Sequence, residues 1–252
     1  VFMAMGAWRI SRARVLTRRA AAIETLGSAT VLCTDKTGTL TENRMTVAEL
    51  RREGSEVFRP RDPSTMPEAF HDLVEFGVLA SAKDPFDPME KAFHELGGQA
   101  LAGTGRMRGT EWTIVKAYSL HPDLLAMSHV WKAADGREDF VIAAKGAPEA
   151  IADLCHLSAA DRAALTQSVD QMAAEGLRVL GVARARFAND AWPATQHDFA
   201  FEFLGLVGLA DPLRDSVPDA VGECRSAGIK VVMITGDYPA TAQAIARQAG
   251  LD

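Results

Sequence analysis

The chain has 252 residues, enough for one large domain or two smaller ones. Its 48% hydrophobic and 24% charged content is ordinary for a soluble globular chain, and a net charge of -6 provides no global basic face, which argues against a nucleic-acid partner. The three cysteines, Cys33, Cys155 and Cys224, are too few and too widely spaced for a disulfide framework and suit a reducing compartment. No CxxC or HExxH spacing occurs and the six histidines are scattered, so no zinc motif is present.

In chain order, the opening "VFMAMGAW" is apolar but too short to span a bilayer alone. Arg9, Arg12, Arg14, Arg18 and Arg19 follow, and the first acid is Glu24. This composition fits the end of a membrane helix with its cytoplasmic arginines, an Arg-rich surface helix, or a targeting peptide. The opening Val in place of Met favours a piece of a longer protein.

A strand is predicted over 29–34, and two more in the apolar runs "FEFLGLVGLAD" (201–211) and "IKVVMITGD" (229–237). Near-continuous apolar runs suit parallel strands buried on both faces. Helices are predicted over 216–227, closed by Gly228, and 241–249, closed by Gly250. Strand, helix, strand, helix implies a doubly wound parallel sheet. The first strand stands far from the other two in sequence, which implies an inserted domain. That insert carries predicted helices over 67–81, around Met89, 148–154 and 161–175. Its predicted strands are 113–118, 125–131, 140–144 and "LRVLGVARARF", with the turn "ADGRED" joining two of them. This pattern is α+β. Cys33 reads as a small buried strand residue, and Trp112, Trp131 and Trp192 as core.

The chemistry concentrates where the first strand runs into "DKTGTLT". In an open parallel sheet, ligands bind at the carboxyl ends of strands. Asp35 at such an end can be a metal ligand or a nucleophile that forms an aspartyl-phosphate. Lys36 favours a nearby phosphate, and Gly38 with the neighbouring threonines lets backbone N–H groups approach an anion. At the end of the third run, Thr235 can donate its hydroxyl to a phosphoryl oxygen, Gly236 permits close approach, and Asp237 adds a carboxylate.

These residues carry a resemblance. "DKTGTLT" is similar to the phosphorylation signature of P-type ATPases, the ion pumps of the haloacid dehalogenase superfamily, and "KGAPE", "GLADPLRD" and "MITGD" follow in the family's order and spacing. "IETLGSATVLCTDKTGTLTENRMTV" resembles the type II cation pumps. The resemblance implies a haloacid dehalogenase-like α/β fold, with a phosphorylation domain at 27–45 and 202–252, an inserted nucleotide-binding domain at 46–201, and a membrane-proximal stalk at 1–26. It implies that Asp35 accepts the γ-phosphoryl group of ATP and, with Thr37, binds Mg2+. Lys36 and Thr235 then stabilise the transferring group, and Asp237, beside Gly236, positions ATP and magnesium. In the insert it implies Lys145 and Gly146 beside adenine, Glu90 at the adenine edge and Arg178 at the phosphates. Leu120 and Leu125 stand where type II pumps carry a stacking ring and a lysine. Tyr118, two residues before Leu120, either substitutes for that ring or is ordinary strand packing.

The implied partners are ATP, a transported cation held by membrane helices, and an actuator domain, on the cytoplasmic face of a membrane. The family's following lysine and Gly-Asp-Gly segment lie beyond Asp252, so this chain alone is expected to bind ATP with negligible turnover. Two alternatives remain: a soluble dehalogenase-type phosphohydrolase, and a nucleotide-binding module without catalysis. Phosphatases of the superfamily carry an Asp two positions after the nucleophile as general acid and base; Thr37 occupies that position here, which favours a pump.

Overall fold

The computed structural model describes residues 2–12, 15, 27–52, 56–106, 112–133, 140–188, 192–237 and 239–251. The "ADGRED" turn, most of the segment read as a stalk, and Arg14, Arg18, Arg19 and Glu24 lie outside the described residues. No helix among those described is long and apolar enough to cross a membrane. The first described element is helix α1 (Phe2–Arg12), which carries Arg9 and Arg12 in its last turn.

The remaining elements form two sheets. Strands β1 (Val31–Asp35) and β9 (Lys230–Ile234) pair in parallel, in the two-stranded sheet. The other sheet is seven-stranded and antiparallel. It contains β2 (Thr46–Arg51), β3 (Val57–Phe58), β4 (Trp112–Tyr118), β5 (Ala126–Ala133), β6 (Phe140–Gly146), β7 (Arg178–Phe187) and β8 (Glu202–Ala210), in the spatial order β3-β2-β8-β7-β6-β5-β4. The architecture is therefore α/β, with a parallel sheet interrupted by a separate antiparallel one.

One strand expectation is corrected. The run 201–211 was predicted as a buried parallel strand, yet β8 lies antiparallel between β2 and β7. Its apolar continuity has the same cause, burial on both faces, in a different sheet. On one face, helices α2 (His71–Leu79) and α3 (Pro88–Ala100) pack over Leu50, Val182, Val207 and Leu209. On the other, α4 (Pro148–Leu154) and α5 (Ala159–Ala174) cover Ile142, Ala144 and Leu206. Residues 202–210, placed with the phosphorylation domain from sequence, thus hydrogen-bond into the antiparallel sheet.

Local chemistry sets the helix starts. Asp87 caps α3 by accepting from Met89 N at 2.7 Å and Glu90 N at 3.4 Å, and Pro88 fills the first turn, where no N–H partner is needed. Ser158 caps α5 by accepting from Asp161 N at 3.2 Å. Beside the parallel pair lie α6 (Val217–Ser226) and α7 (Pro239–Gln248). A small core of Leu40, Val217, Val221 and Ala249 joins them, with Met233 packed against it. Val31, Leu32 and Ile234 are about half exposed, and Cys33 is exposed too, against the expectation of a buried cysteine. The tryptophans follow expectation. Trp131 is 3% exposed, Trp112 packs on the same core, and Trp192 packs edge-on to Phe140.

The sheets are joined where the chain leaves and re-enters the parallel pair. Thr41, fully buried, donates its hydroxyl to Asp211 Oδ2 at 2.5 Å and accepts from Gly38 N at 3.2 Å. Asp211 Oδ1 accepts from Arg44 N at 3.1 Å, and Arg214 N donates to Leu40 O at 2.9 Å.

The central strand β8 depends on Gly205. Its φ is +148°, and a Cβ there would stand 2.2 Å from the Arg51 carbonyl oxygen, beside a register shift in the β7–β8 ladder. Gly205→Ala is expected to reduce the unfolding free energy by about 2 kcal/mol or more, through backbone strain and loss of the β2 contact. Urea denaturation checks this, and an unchanged midpoint would contradict it.

Candidate functional site

The first cluster of site residues forms because β1 and β9 run parallel, with Asp35 opposite Ile234. Both strands therefore end together, and the residues that follow them face one another. After Asp35 the chain makes a tight turn over Lys36–Leu40, closed by Thr41 N donating to Lys36 O at 3.1 Å. Gly38 takes φ +77°, which a side chain would resist, so a glycine is needed there. Asp35 Oδ1 accepts from Lys36 N at 2.9 Å, which fixes the direction of the carboxylate.

Across the gap, Asp237 N donates to Thr235 Oγ1 at 3.2 Å, and Lys36 Nζ stands 2.6 Å from Asp237 Oδ2. That oxygen is buried, and the Lys36 ammonium balances its charge. Asp35, Lys36, Thr37, Thr235, Gly236 and Asp237 thus gather at one end of the parallel pair.

Arg178 joins them from the other sheet. It is the first residue of β7 and is exposed. A cavity of about 250 Å³ is lined by Lys36, Thr37, Asp87, Met89, Arg178, Asp211 and Asp237, among others. Five of these side chains are charged, and they come from both sheets and from the start of α3.

The second cluster lies inside the antiparallel sheet. Lys145 on β6 is 5% exposed, and its Nζ donates to Glu90 Oε1 and to Ser81 Oγ, each at 2.6 Å. Glu90 Oε2 accepts from Ala82 N at 3.3 Å. Burial pushes the Lys145 ammonium below the ordinary lysine range, and Glu90 works against that shift. The lysine also lies 5.6 Å from the centre of the Phe93 ring. Beside it, His129 is held below the ordinary imidazole range, first by burial; it donates from Nδ1 to the Leu79 carbonyl at 3.2 Å. Gly146 follows Lys145 where a Cβ would come within 2.3 Å of Leu125 O, so only a backbone fits between β5 and β6.

The structure therefore brings Glu90, Lys145 and Gly146 together, and does not bring Tyr118 to them. Tyr118 pairs with Ser128, which pairs with Ala144, whereas Lys145 pairs with Met127 and Val182, one residue out of step. Alternation sends the two side chains to opposite faces. Tyr118 donates its hydroxyl to Pro193 O at 2.8 Å and meets Phe199 edge-on at 5.6 Å between ring centres. Of the two readings left open for Tyr118, these contacts are those of strand packing. Leu120, just past β4, is 60% exposed, and Leu125 is 47% exposed.

Thr41, Ser81, Asp87 and Asp211 are absent from the residues picked out by sequence. Asp211 closes a quoted motif, and Asp87 sits in a cap pattern, but Ser81 has no sequence signal beyond a helix end. The buried pair carries a stability consequence. Glu90→Ala strands a buried ammonium and is expected to cost about 3–5 kcal/mol, while adding Lys145→Met should recover most of it. Chemical denaturation of both variants tests this; equal loss in the two would contradict it.

The family model described as haloacid dehalogenase-like hydrolase matches residues 29–252. The sodium/potassium-transporting ATPase subunit alpha-A of Artemia franciscana is 30% identical over 297 residues, covering 100% of this chain and 29% of that protein. Subunit alpha-2 of Homo sapiens is 30% identical over 292 residues, covering 100% of this chain and 28% of its own length. The sodium/potassium exporting P-type ATPase cta3 of Schizosaccharomyces pombe is 30% identical over 306 residues, covering 100% and 29%. The chain thus spans less than a third of the length of these curated relatives. The chain belongs to the haloacid dehalogenase-like hydrolases, and its similarity throughout is to the P-type ATPases among them.

Proposed function

We propose that the chain is the ATP-binding and phosphorylation part of a P-type cation-transporting ATPase. Asp35 takes the γ-phosphoryl group of ATP, and the resulting aspartyl-phosphate drives ion transport across a membrane. The observation that carries this is the convergence of Asp35, Lys36, Thr235 and Asp237 at the ends of two parallel strands, where Lys36 and Asp237 line a cavity that Arg178 also lines. Within it, residues 27–45 and the chain after Ala210 form the phosphorylation domain, and the antiparallel sheet with its helices binds the nucleotide. The parent protein spans the membrane many times, with this chain on its cytoplasmic face and residues 1–26 nearest the bilayer.

In this scheme a carboxylate oxygen of Asp35 attacks the γ-phosphorus, the bond to the bridging oxygen breaks, and ADP leaves with that electron pair. Phosphoryl transfer asks the protein for position and charge neutralisation. Lys36 supplies a cation beside the nucleophile, Thr235 a hydroxyl donor, and Arg178 a cation for the polyphosphate. Glu90 and Lys145 frame the adenine end.

Magnesium fits the donors present: the carboxylate of Asp35 and the backbone carbonyl of Thr37 are hard oxygens at the end of the parallel pair. Among the described residues no group of three or more acidic, histidine or cysteine side chains forms a cage. An ion that keeps waters and takes phosphate oxygens needs no such cage. When bound, it neutralises charge on the phosphates.

Two outcomes are expected. In the full-length protein given γ-labelled ATP and magnesium, Asp35→Asn should abolish acid-stable labelling, since the amide keeps the shape but removes the nucleophile; labelling at the wild-type level would refute the assignment. In the 252-residue chain, Arg178→Ala should weaken ATP binding about tenfold by calorimetric titration, the scale of one lost charge-assisted contact. No change in affinity would remove Arg178 from the phosphate site.

A further inference from the structure

Helix α5 ends against the usual preference of helices. It has no basic residue in its last turn, and its C-cap is Glu175. A carboxylate there faces the negative end of the helix dipole, where a lysine or arginine is favoured. Departures of this kind from local preference are expected where function asks for them.

The Glu175 charge is met by one distant arginine. Arg59, just after β3, donates from one terminal nitrogen to Glu175 Oε1 at 2.9 Å and Oε2 at 2.7 Å. Its Nε donates to Glu49 Oε2 at 2.8 Å. Glu49 is fully buried on β2, and its other oxygen accepts from Arg51 Nε at 2.5 Å. Arg51 in turn donates to Gln171 Oε1 on α5 at 2.6 Å. Two arginines and two glutamates thus balance, and they fasten the end of α5 to β2. Glu49 keeps Arg51 if Arg59 is removed, whereas the printed partner of Glu175 is Arg59 alone.

This charge lies beside the phosphate-facing cavity. Gly176, the next residue, lines that cavity, and so does Arg178 two residues further on. A Cβ on Gly176 would stand 3.3 Å from Ala244 Cβ on α7, so the turn is held between the arginine clamp and that helix. The lining already carries Asp87, Asp211 and Asp237 against Lys36 and Arg178. One more unbalanced anion at Glu175 would add to the repulsion met by a polyphosphate. At about 10 Å it would still be felt, because that is about the Debye length at 0.1 M salt.

We infer that Arg59 tunes the polyphosphate affinity of the cavity by neutralising Glu175, an inference that rests on the ATP-binding function proposed above. Arg59 does not line the cavity; it acts through the charge and placement of the turn that leads to Arg178. It is a positioning residue, and it takes no part in phosphoryl transfer.

The test is calorimetric titration of the 252-residue chain with ATP. Arg59→Ala is expected to weaken binding about threefold at about 0.1 M ionic strength, and the difference should vanish at about 1 M. Adding Glu175→Gln should restore the wild-type affinity, which repair of a merely structural contact would not do. Arg162→Ala removes the same charge about 20 Å away along α5 and should leave affinity unchanged. If Arg59→Ala does not fold, Glu49→Gln is added to remove the buried acid; in that background Glu175→Gln should tighten ATP about threefold. If the wild-type chain fails to bind ATP, the ATP-binding function itself falls. If it binds ATP and Arg59→Ala binds equally well, only the role of Arg59 is overturned. A loss that survives Glu175→Gln or 1 M salt, or that Arg162→Ala reproduces, would also overturn it.

Discussion

The contact on which the rest depends is the buried hydrogen bond from Thr41 to Asp211. It ties the chain leaving the parallel pair to the chain returning to it, at the crossing between the two sheets. Asp211 spends its second oxygen on Arg44 N, and Arg214 reaches back to Gly38 O at 3.0 Å, so the turn after Asp35 and the crossing are one network. A carboxylate with both oxygens engaged by the protein fixes geometry more firmly than one facing water. The direction of Asp35 and the position of the antiparallel sheet are therefore coupled. Moving the returning strand would disturb the turn that carries Lys36.

Much of this was legible in the sequence because it rests on local chemistry. The Asp35–Gly38 turn announces itself through an apolar strand ending in an acid, a base and a glycine at a position that takes positive φ. The α3 cap is visible as Asp-Pro before a helical period, and the α4 start as Ala-Pro-Glu. The partnership of Glu90 and Lys145 was legible only through resemblance. No spacing rule brings together a residue at a helix start and one on a strand so far along the chain.

What the sequence could not convey was sheet membership and side-chain face. An apolar run tells that both faces of β8 are covered, not whether its neighbours run parallel or antiparallel to it. Tyr118 fails for a related reason. Its distance from Lys145 on neighbouring strands depends on register, and a register offset of one residue sends a side chain to the other face.

The charges around the cavity bear on how a polyphosphate could enter it. Lys36 and Arg178 line it, but so do Asp87, Asp211 and Asp237. Lys36 is engaged by Asp237, while Asp87 is turned to the α3 N-terminus and Asp211 to the Thr41 crossing. Arg178 is thus the exposed cation of the lining, and the anions outnumber the cations. A bare polyphosphate would meet net repulsion there, which a divalent cation travelling with it would offset. On the proposed function, the Lys36–Asp237 pair is then the resting state of the site. It stores the lysine close to Asp35 with its charge balanced, and an arriving phosphoryl group has only to compete with Asp237 for it. The reorganisation the transfer step then requires is the exchange of one oxygen anion for another at the same ammonium.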